Sequence, residues 1–403
     1  MAVVIEALPP VEAIAAFEAR HNDLRGTFSY LDVWQEEHAT MFTVAKSAGF
    51  DVLTDIYTAF EKALKEGQTP EQFAKRLRPV LEEKGWWGRK TMIDPASGEM
   101  VPAQLGSARR LQTIFDANMR VSHAAGAWAG FEANRRTRPY LRYVAIEDDR
   151  TRPTHAARHN LVLPIDHPYW NLWATPCGWG CRCTMQSLSQ RDIDNMIRDG
   201  VKLVFEPPED TWKNFVNRRT GEVTRVPDGI DPGWAYNPGR AGYEARVNQA
   251  IADKVAVAPS EFASAAIDER LSSSAFERFV RDPQGSMPVM PVRDEIAAAL
   301  RMEPGVALLS AETMKSQIQA QPDMAVEDYR LLGSLPSRAT LALVDGDTVI
   351  LLSRLTNGRW LQAVVSAGRT NKFAFLSNYR FTEDAQTETL LQKTGISILF
   401  DRR

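Results

Sequence analysis

Cys177, Cys181 and Cys183 are the only cysteines in 403 residues, and they fall within seven positions. His155, His159 and His167 lie just upstream. Thiolate and imidazole together suit a tetrahedral ion, zinc first among them. His155, Cys177, Cys181 and Cys183 make a Cys3His set, the donor combination of closed structural sites. The spacing C-x3-C-x-C differs from the common zinc-finger knuckles, and His159 and His167 are alternative nitrogen donors. The rival reading is three small buried thiols, with His155 hydrogen-bonded to Asp148 or Asp149. Three cysteines so close favour metal binding or redox chemistry over one activated Cys–His nucleophile. Asp148-Asp149-Arg150-Thr151-Arg152 reads as an Arg–carboxylate network that fixes a loop rather than as an acid/base pair. No catalytic residue is assigned in this window.

From Arg150 to Cys183 the chain has no regular apolar period, so something besides secondary structure must staple it, and a metal would do so. The elements around it are easier to read. Leu53, Ile56, Phe60 and Leu64 share one helical face, with Asp51 as the cap and Gly67 at the end. Thr69-Pro70-Glu71-Gln72 is a capping box with proline in the first turn. Phe73, Leu77 and Val80 continue at helical spacing, and Pro79 predicts a kink or an early stop. A long helix is expected from near Ser107 to near Asn134. Its small residues Ala124, Ala125, Gly126, Ala127 and Gly130 allow another helix to approach closely. Tyr140–Ile146 alternates like a strand and delivers the chain to the cysteine window. Phe215–Val226 reads as a hairpin turning at Thr220-Gly221, and 231–239 as an aromatic strap on the core.

Length predicts two or three domains. Apolar content of 44% and charged content of 25% are those of a globular chain. A net charge of −3 gives no global attraction to DNA or to an acidic membrane. No apolar run reaches eighteen residues, so no membrane span is expected. Glu6 and the Pro9-Pro10 pair come too early for a signal peptide. Three clustered cysteines fit a reducing compartment, so synthesis in a cytoplasm is expected. Between Arg109 and Arg142, seven arginines face only Asp116 and Glu132, a local charge of +5. That run is a solvated helix face or, through Arg109, Arg110, Arg120, Arg135, Arg136 and Arg138, a contact to double-stranded DNA.

The run from Asp148 to Cys183, "DDRTRPxH … PxDxPxW … PxGWxCRC", resembles the signature of the Mu F-like head morphogenesis family, the minor head proteins of tailed phages. The resemblance extends from about Arg109 to about Gly239. It implies a minor head protein in the virion head, at or near the portal vertex. Its partners would be the portal protein and major capsid or scaffold proteins, with a role in assembly, packaging or ejection. In the family pattern a polar residue often replaces Cys177. The resemblance therefore implies His155, Cys181 and Cys183 as the dependable ligands and leaves the fourth open.

Residues 255–286, rich in Ala and Ser, read as a linker with some helix. From Met287 the pattern becomes α+β. A strand is expected at Val306–Leu309, and a helix capped by Ser310 running to Ala320. A hairpin follows through Asp345-Gly346-Asp347, then strands at Trp360–Ser366, Phe373–Leu376 and Ile396–Phe400. Gly358–Val365 and Phe375–Phe381 resemble strands of the barnase, EndoU, RelE and colicin-like nuclease domains fused to such proteins. No histidine follows His167, which removes the histidine-dependent chemistry of two of those groups. Lys315, Arg359, Arg369, Lys372, Tyr379 and Arg380 remain as candidates for metal-independent RNA cleavage. Thirteen basic residues against thirteen acidic ones from 285 onward argue instead for an inactive binding domain. The expected architecture is a mainly α region with a loop-rich, metal-stapled core, then a separate small α+β domain with an antiparallel sheet. Its boundaries are 1–106 helical, 107–254 core, 255–286 linker and 287–403 nuclease-like. The alternative function is a virion-packaged RNase effector. A zinc-dependent hydrolase ranks third, with Glu147 as its only nearby glutamate base.

Overall fold

The computed structural model describes residues 9–47, 50–283, 285–322, 324–368 and 373–403. The residues up to Ala245 and those from Arg246 on form two compact units. Met1–Leu8, where the signal-peptide argument was made, lie outside the described residues, as do Arg369 and Lys372.

In the first unit, the helices Phe50–Glu66 and Pro70–Glu83 follow the sequence pattern closely. Gly67 ends the first with φ +62°, and Asp51 sits inside its first turn rather than at the cap. Thr69 and Gln72 exchange hydrogen bonds of 2.8 and 3.3 Å between side chain and backbone. Pro79 does not stop the second helix, which continues to Glu83. A proline removes one ladder hydrogen bond, and buried Phe73, Leu77 and Leu81 hold this helix against that loss.

The helix Ala108–Asn134 organises the unit, and Ser107 caps it through Arg110 N. Leu111 and Phe115 enter one core, where Phe60 packs on Phe17, Phe73 and Phe115. Val121, Trp128 and Phe131, further along the helix, enter a second core that contains all three cysteines. The small residues act as expected. A Cβ on Gly126 would sit 3.0 Å from Ala13 N, in the helix Val11–Glu18, and one on Gly239 would sit 2.9 Å from Ala124 O. Tyr140–Val144 is the middle strand of a three-stranded antiparallel sheet, between Val162–Pro164 and Thr184–Leu188. The last of these begins one residue after Cys183. The hairpin Trp212–Val216 with Val223–Pro227 turns through Gly221, at φ +78°. Trp234, Ala235 and Tyr236 of the strap are buried.

The second unit is a seven-stranded sheet with helices. In space its strands run Ser286–Val292, Gly305–Ser310, Phe373–Thr382, Trp360–Ala367, Thr348–Arg354, Leu341–Asp345 and Ile396–Asp401. All neighbours are antiparallel except Gly305–Ser310 with Phe373–Thr382. Ser310 caps Ala311–Ala320 through Thr313 N, as predicted. Two corrections apply. The stretch 255–286 is no linker: the helices Ser260–Leu271 and Ser274–Arg281 bury Ala263, Ile267, Leu271, Phe276 and Phe279 in the core of this unit. The many Ala and Ser residues between the buried positions, and the exposed Phe262, blurred the apolar period. The strand Ser286–Val292 was also missed, because Pro288 and Pro291 argue against a strand; it lies at the sheet edge, where proline is tolerated. Among the described residues, no helix is long and apolar enough to cross a membrane.

Candidate metal centre

His155, in the short helix Pro153–Ala156, is only 2% exposed. Its Nε2 lies 2.9 Å from Gly229 O. A carbonyl only accepts, so Nε2 carries a hydrogen, and Nδ1 is the ring nitrogen left to act as a ligand. That Nδ1 is 3.7 Å from Cys181 Sγ and 3.7 Å from Cys183 Sγ. The three ligand atoms all lie within 4.8 Å of one another, and all three residues are buried. Bond lengths of about 2.3 Å to sulfur and 2.0–2.1 Å to nitrogen at tetrahedral angles place S and N about 3.6 Å apart. The observed spacing is that of a tetrahedral edge.

Cys177 is not in this group, although its thiol adjoins Cys181. It is fully buried, and its thiol donates to the carbonyls of Trp173 and Ala174 at 3.5 Å each. Burial pushes its pKa well up and keeps it neutral. Hydrogen bonds from Cys177 and then Cys183 hold Cys181 far below the usual thiol range, while the bond to Cys181 pushes Cys183 up. A divalent cation held here would favour the thiolate forms of Cys181 and Cys183. The Tyr143 hydroxyl is buried without a regular hydrogen-bond partner, and its electrostatic neighbours are these sulfurs. Metal-bound thiolates would be natural acceptors for it.

The loop that carries the cysteines is tied at several points. Asp231 accepts from Arg152 at 2.7 Å and from Trp179 N at 2.8 Å. Gly178 is required beside it, because an added Cβ would collide with Asp231 Oδ2. Arg120 donates to Cys181 O at 2.7 Å. Asp148 pairs with Arg182, whose guanidinium holds the carboxylate below its usual range. Asp148, which also accepts from Arg150 N and Thr151 Oγ1, fixes the loop as expected, and His155 turns to Gly229 rather than to Asp148 or Asp149. The alternative histidines lie elsewhere: His159 faces Glu147 at 3.7 Å, and His167 Nδ1 accepts from Tyr169 N at 3.2 Å. Glu147 is largely exposed and faces His159 rather than the sulfur group.

Sequence reasoning missed the pair behind the centre. Arg158, 3% exposed, stacks 3.3 Å above the Trp173 ring and pairs with Asp210. It also donates to Tyr169 Oη and Thr154 O at 2.5 Å each, and Trp173 Nε1 reaches Asp210 at 3.0 Å. Arg158 and Asp210 are 52 positions apart, and no local pattern joins them.

Most of the basic run is used internally. Arg110 donates to the carbonyls of Ala45, Gln104 and Leu105 over the Trp86 ring, and burial lowers it to about 10. Arg135 pairs with Asp166, Arg138 with Asp192, and Arg142 with Asn160. Of the six arginines expected to meet DNA, only Arg109 and Arg136 are exposed.

The nuclease-like candidates do not converge. Tyr379 is fully buried, and its hydroxyl donates to Asp328 O at 2.7 Å. Arg380 leans on Gln362. Arg359 lies over Phe381, and Lys315 is exposed on its helix. Among the described residues, no hydrogen bond joins any two of these four.

The comparisons with known proteins agree with the sequence window. Residues 54–186 match the family model described as Phage Mu protein F like protein. That match begins in the helix Phe50–Glu66, before the Arg109 from which the motif resemblance was read. A protein of Escherichia phage Mu named as a capsid assembly protein F is 36% identical over 255 residues, 59% of this chain and 55% of that protein. The Mu-like prophage FluMu F protein of Haemophilus influenzae is 34% identical over 230 residues, 54% of each chain. The chain thus spans about half the length of these curated relatives. No solved structure matches.

Proposed function

We propose that this protein acts in head assembly of a Mu-like tailed phage, as a minor component of the virion head. The observation that carries the reading is the 36% identity over 255 residues to a protein named for capsid assembly. The same reading assigns it partners among the phage head proteins, with the portal vertex, the major capsid protein and scaffold as the finer candidates. Arg109 and Arg136 are the residues left to meet packaged DNA.

Within that role the Cys/His centre is a structural zinc site. His155, Cys181 and Cys183 hold the ion, and Cys177, whose thiol adjoins Cys181, is the nearest fourth donor. A bound ion would fix an irregular loop, and that is the chemistry it supplies. The neighbouring side chains orient the donors: Gly229 O sets the histidine tautomer, and Arg120 anchors Cys181. No specific observation favours the RNase alternative, because buried Tyr379 is removed from any exposed site.

The test is quantitative mass spectrometry of purified, DNA-filled particles of the encoding phage. A few copies per particle, with peptides from both units, support the reading. Absence from particles and from assembling heads overturns it.

A further inference from the structure

Tyr143 stands on the middle strand Tyr140–Val144, opposite Met185, and its side chain enters the core that holds the three cysteines. The residue is fully buried. A buried tyrosine hydroxyl ordinarily finds an acceptor, because leaving water without one is costly. Among the described residues this hydroxyl makes no hydrogen bond of ordinary geometry. What it faces is sulfur: Cys183 and Cys177 lie against it, with Cys181 close by.

Of these sulfurs, Cys183 is the acceptor best suited to it. Cys177 is a neutral thiol that already turns to the carbonyls of Trp173 and Ala174. Cys183 belongs to the ligand group, and the backbone N–H of Ile146 also faces its sulfur. A neutral thiol accepts hydrogen bonds only weakly. A thiolate accepts strongly, since a hydrogen bond to a charged acceptor is about twice as strong as a neutral one. The Tyr143 hydroxyl is thus poorly matched to a metal-free centre and well matched to a loaded one.

We propose that Tyr143 is a positioning residue for the metal: with an ion bound, its hydroxyl donates to the Cys183 thiolate, draws electron density from it and secures that ligand. The proposal rests on the zinc reading above. It gives the hydroxyl opposite effects in the two forms of the protein. Without metal it is a buried group with no partner and lowers stability. With metal it belongs to the site and tightens the hold on the ion.

The test uses the full chain and Tyr143→Phe, which removes the hydroxyl alone, with cobalt as a visible substitute for zinc. The variant should hold zinc about tenfold more weakly in competition with a chromophoric chelator. Its thiolate-to-cobalt band should move to lower energy, because a thiolate freed of its donor gives up electrons more readily. Its metal-free thermal midpoint should not fall, since a buried group with no partner is gone. The band shift should persist in a Cys177→Ser background, where Cys183 is still the acceptor. Should Tyr143→Phe not fold, growth on ring-fluorinated tyrosine supplies a stronger phenolic donor, and the band should then move to higher energy. A cobalt spectrum and zinc affinity unchanged by the substitution, or a band unmoved by fluorination, overturn the proposal and leave the zinc reading standing. So does an equal loss of stability in the metal-free and loaded forms, which marks the hydroxyl as packing alone. A shift that vanishes with Cys177→Ser makes Cys177 the acceptor and overturns the assignment to Cys183. An unmodified protein that takes up neither cobalt nor zinc removes the zinc reading and this proposal together.

Discussion

His155 donates from Nε2 to the carbonyl of Gly229, 74 positions away, and so leaves Nδ1 facing Cys181 and Cys183. One backbone oxygen therefore sets the tautomer that a metal ligand needs. Gly229 can stand there only as glycine. Its φ is +99°, and an added Cβ would collide with Thr154 Oγ1.

The purified protein, prepared without chelator, should carry about one zinc per chain. Its removal with a strong chelator should lower the thermal midpoint by about 10 °C, the shift expected for a ligand held near a thousand times its Kd. His155→Gln, Cys181→Ser and Cys183→Ser should each lose the metal. Cys177→Ser should keep it with a weaker thiolate-to-cobalt absorption in the cobalt-loaded protein. Metal content well below one per chain in the unmodified protein would sink the assignment.

Gly229→Ala should destabilise the first unit by about 3 kcal/mol, from a left-handed backbone plus overpacking against Thr154. It should also weaken zinc retention, because Gly229 O must shift away from His155. Urea unfolding together with metal analysis checks both, and an unchanged midpoint with full zinc would refute the coupling.

The helices Phe50–Glu66 and Pro70–Glu83 were legible because they bury one face at a regular period, and most strands of the second unit because they are short apolar runs ended by turn residues. Leu53, Ile56, Phe60 and Leu64 announce a helix, and Ser310 announces the start of another. The centre was legible as a ligand group because sulfur and imidazole donors sit close in sequence. Its geometry was not. Gly229, Asp231 and Asp210 come from a segment with no periodic pattern, and only tertiary packing brings them to His155, Arg152 and Arg158. The separate position of Cys177 was equally hidden, since sequence spacing cannot tell which of three thiols turns to a carbonyl. The basic run misled for a related reason. Charge counted along a helix does not say which guanidiniums end on carbonyls, as Arg110 and Arg120 do.

Asp210→Asn should cost about 3 kcal/mol, because it leaves the buried Arg158 guanidinium without its counter-charge over Trp173. Arg158→Met combined with Asp210→Asn should recover part of that loss, since the unpaired charge is gone. Equilibrium unfolding of the two variants decides it. A double variant no better than the single would mean that packing of the guanidinium, rather than its charge, is what matters.

His38 gives the first unit an acid-sensitive step. Burial, and next the charge of Arg20, hold it at about 4, against an ordinary 6.5. The fold therefore accepts His38 in its neutral form. Above about pH 6.5 both folded and unfolded chains carry it neutral, and the full stability is present. As pH falls from about 6.5 to about 4, the unfolded chain takes up the proton first. Stability is then lost at up to about 1.4 kcal/mol per pH unit, at most about 3 kcal/mol in all. His38→Gln removes this titration while keeping a polar side chain. Urea midpoints measured at pH 7.5, 6.5, 5.5 and 4.5 should fall more steeply for the unmodified protein than for the variant, and the gap should open below pH 6.5. Parallel curves across that window would show that His38 titrates alike in both states.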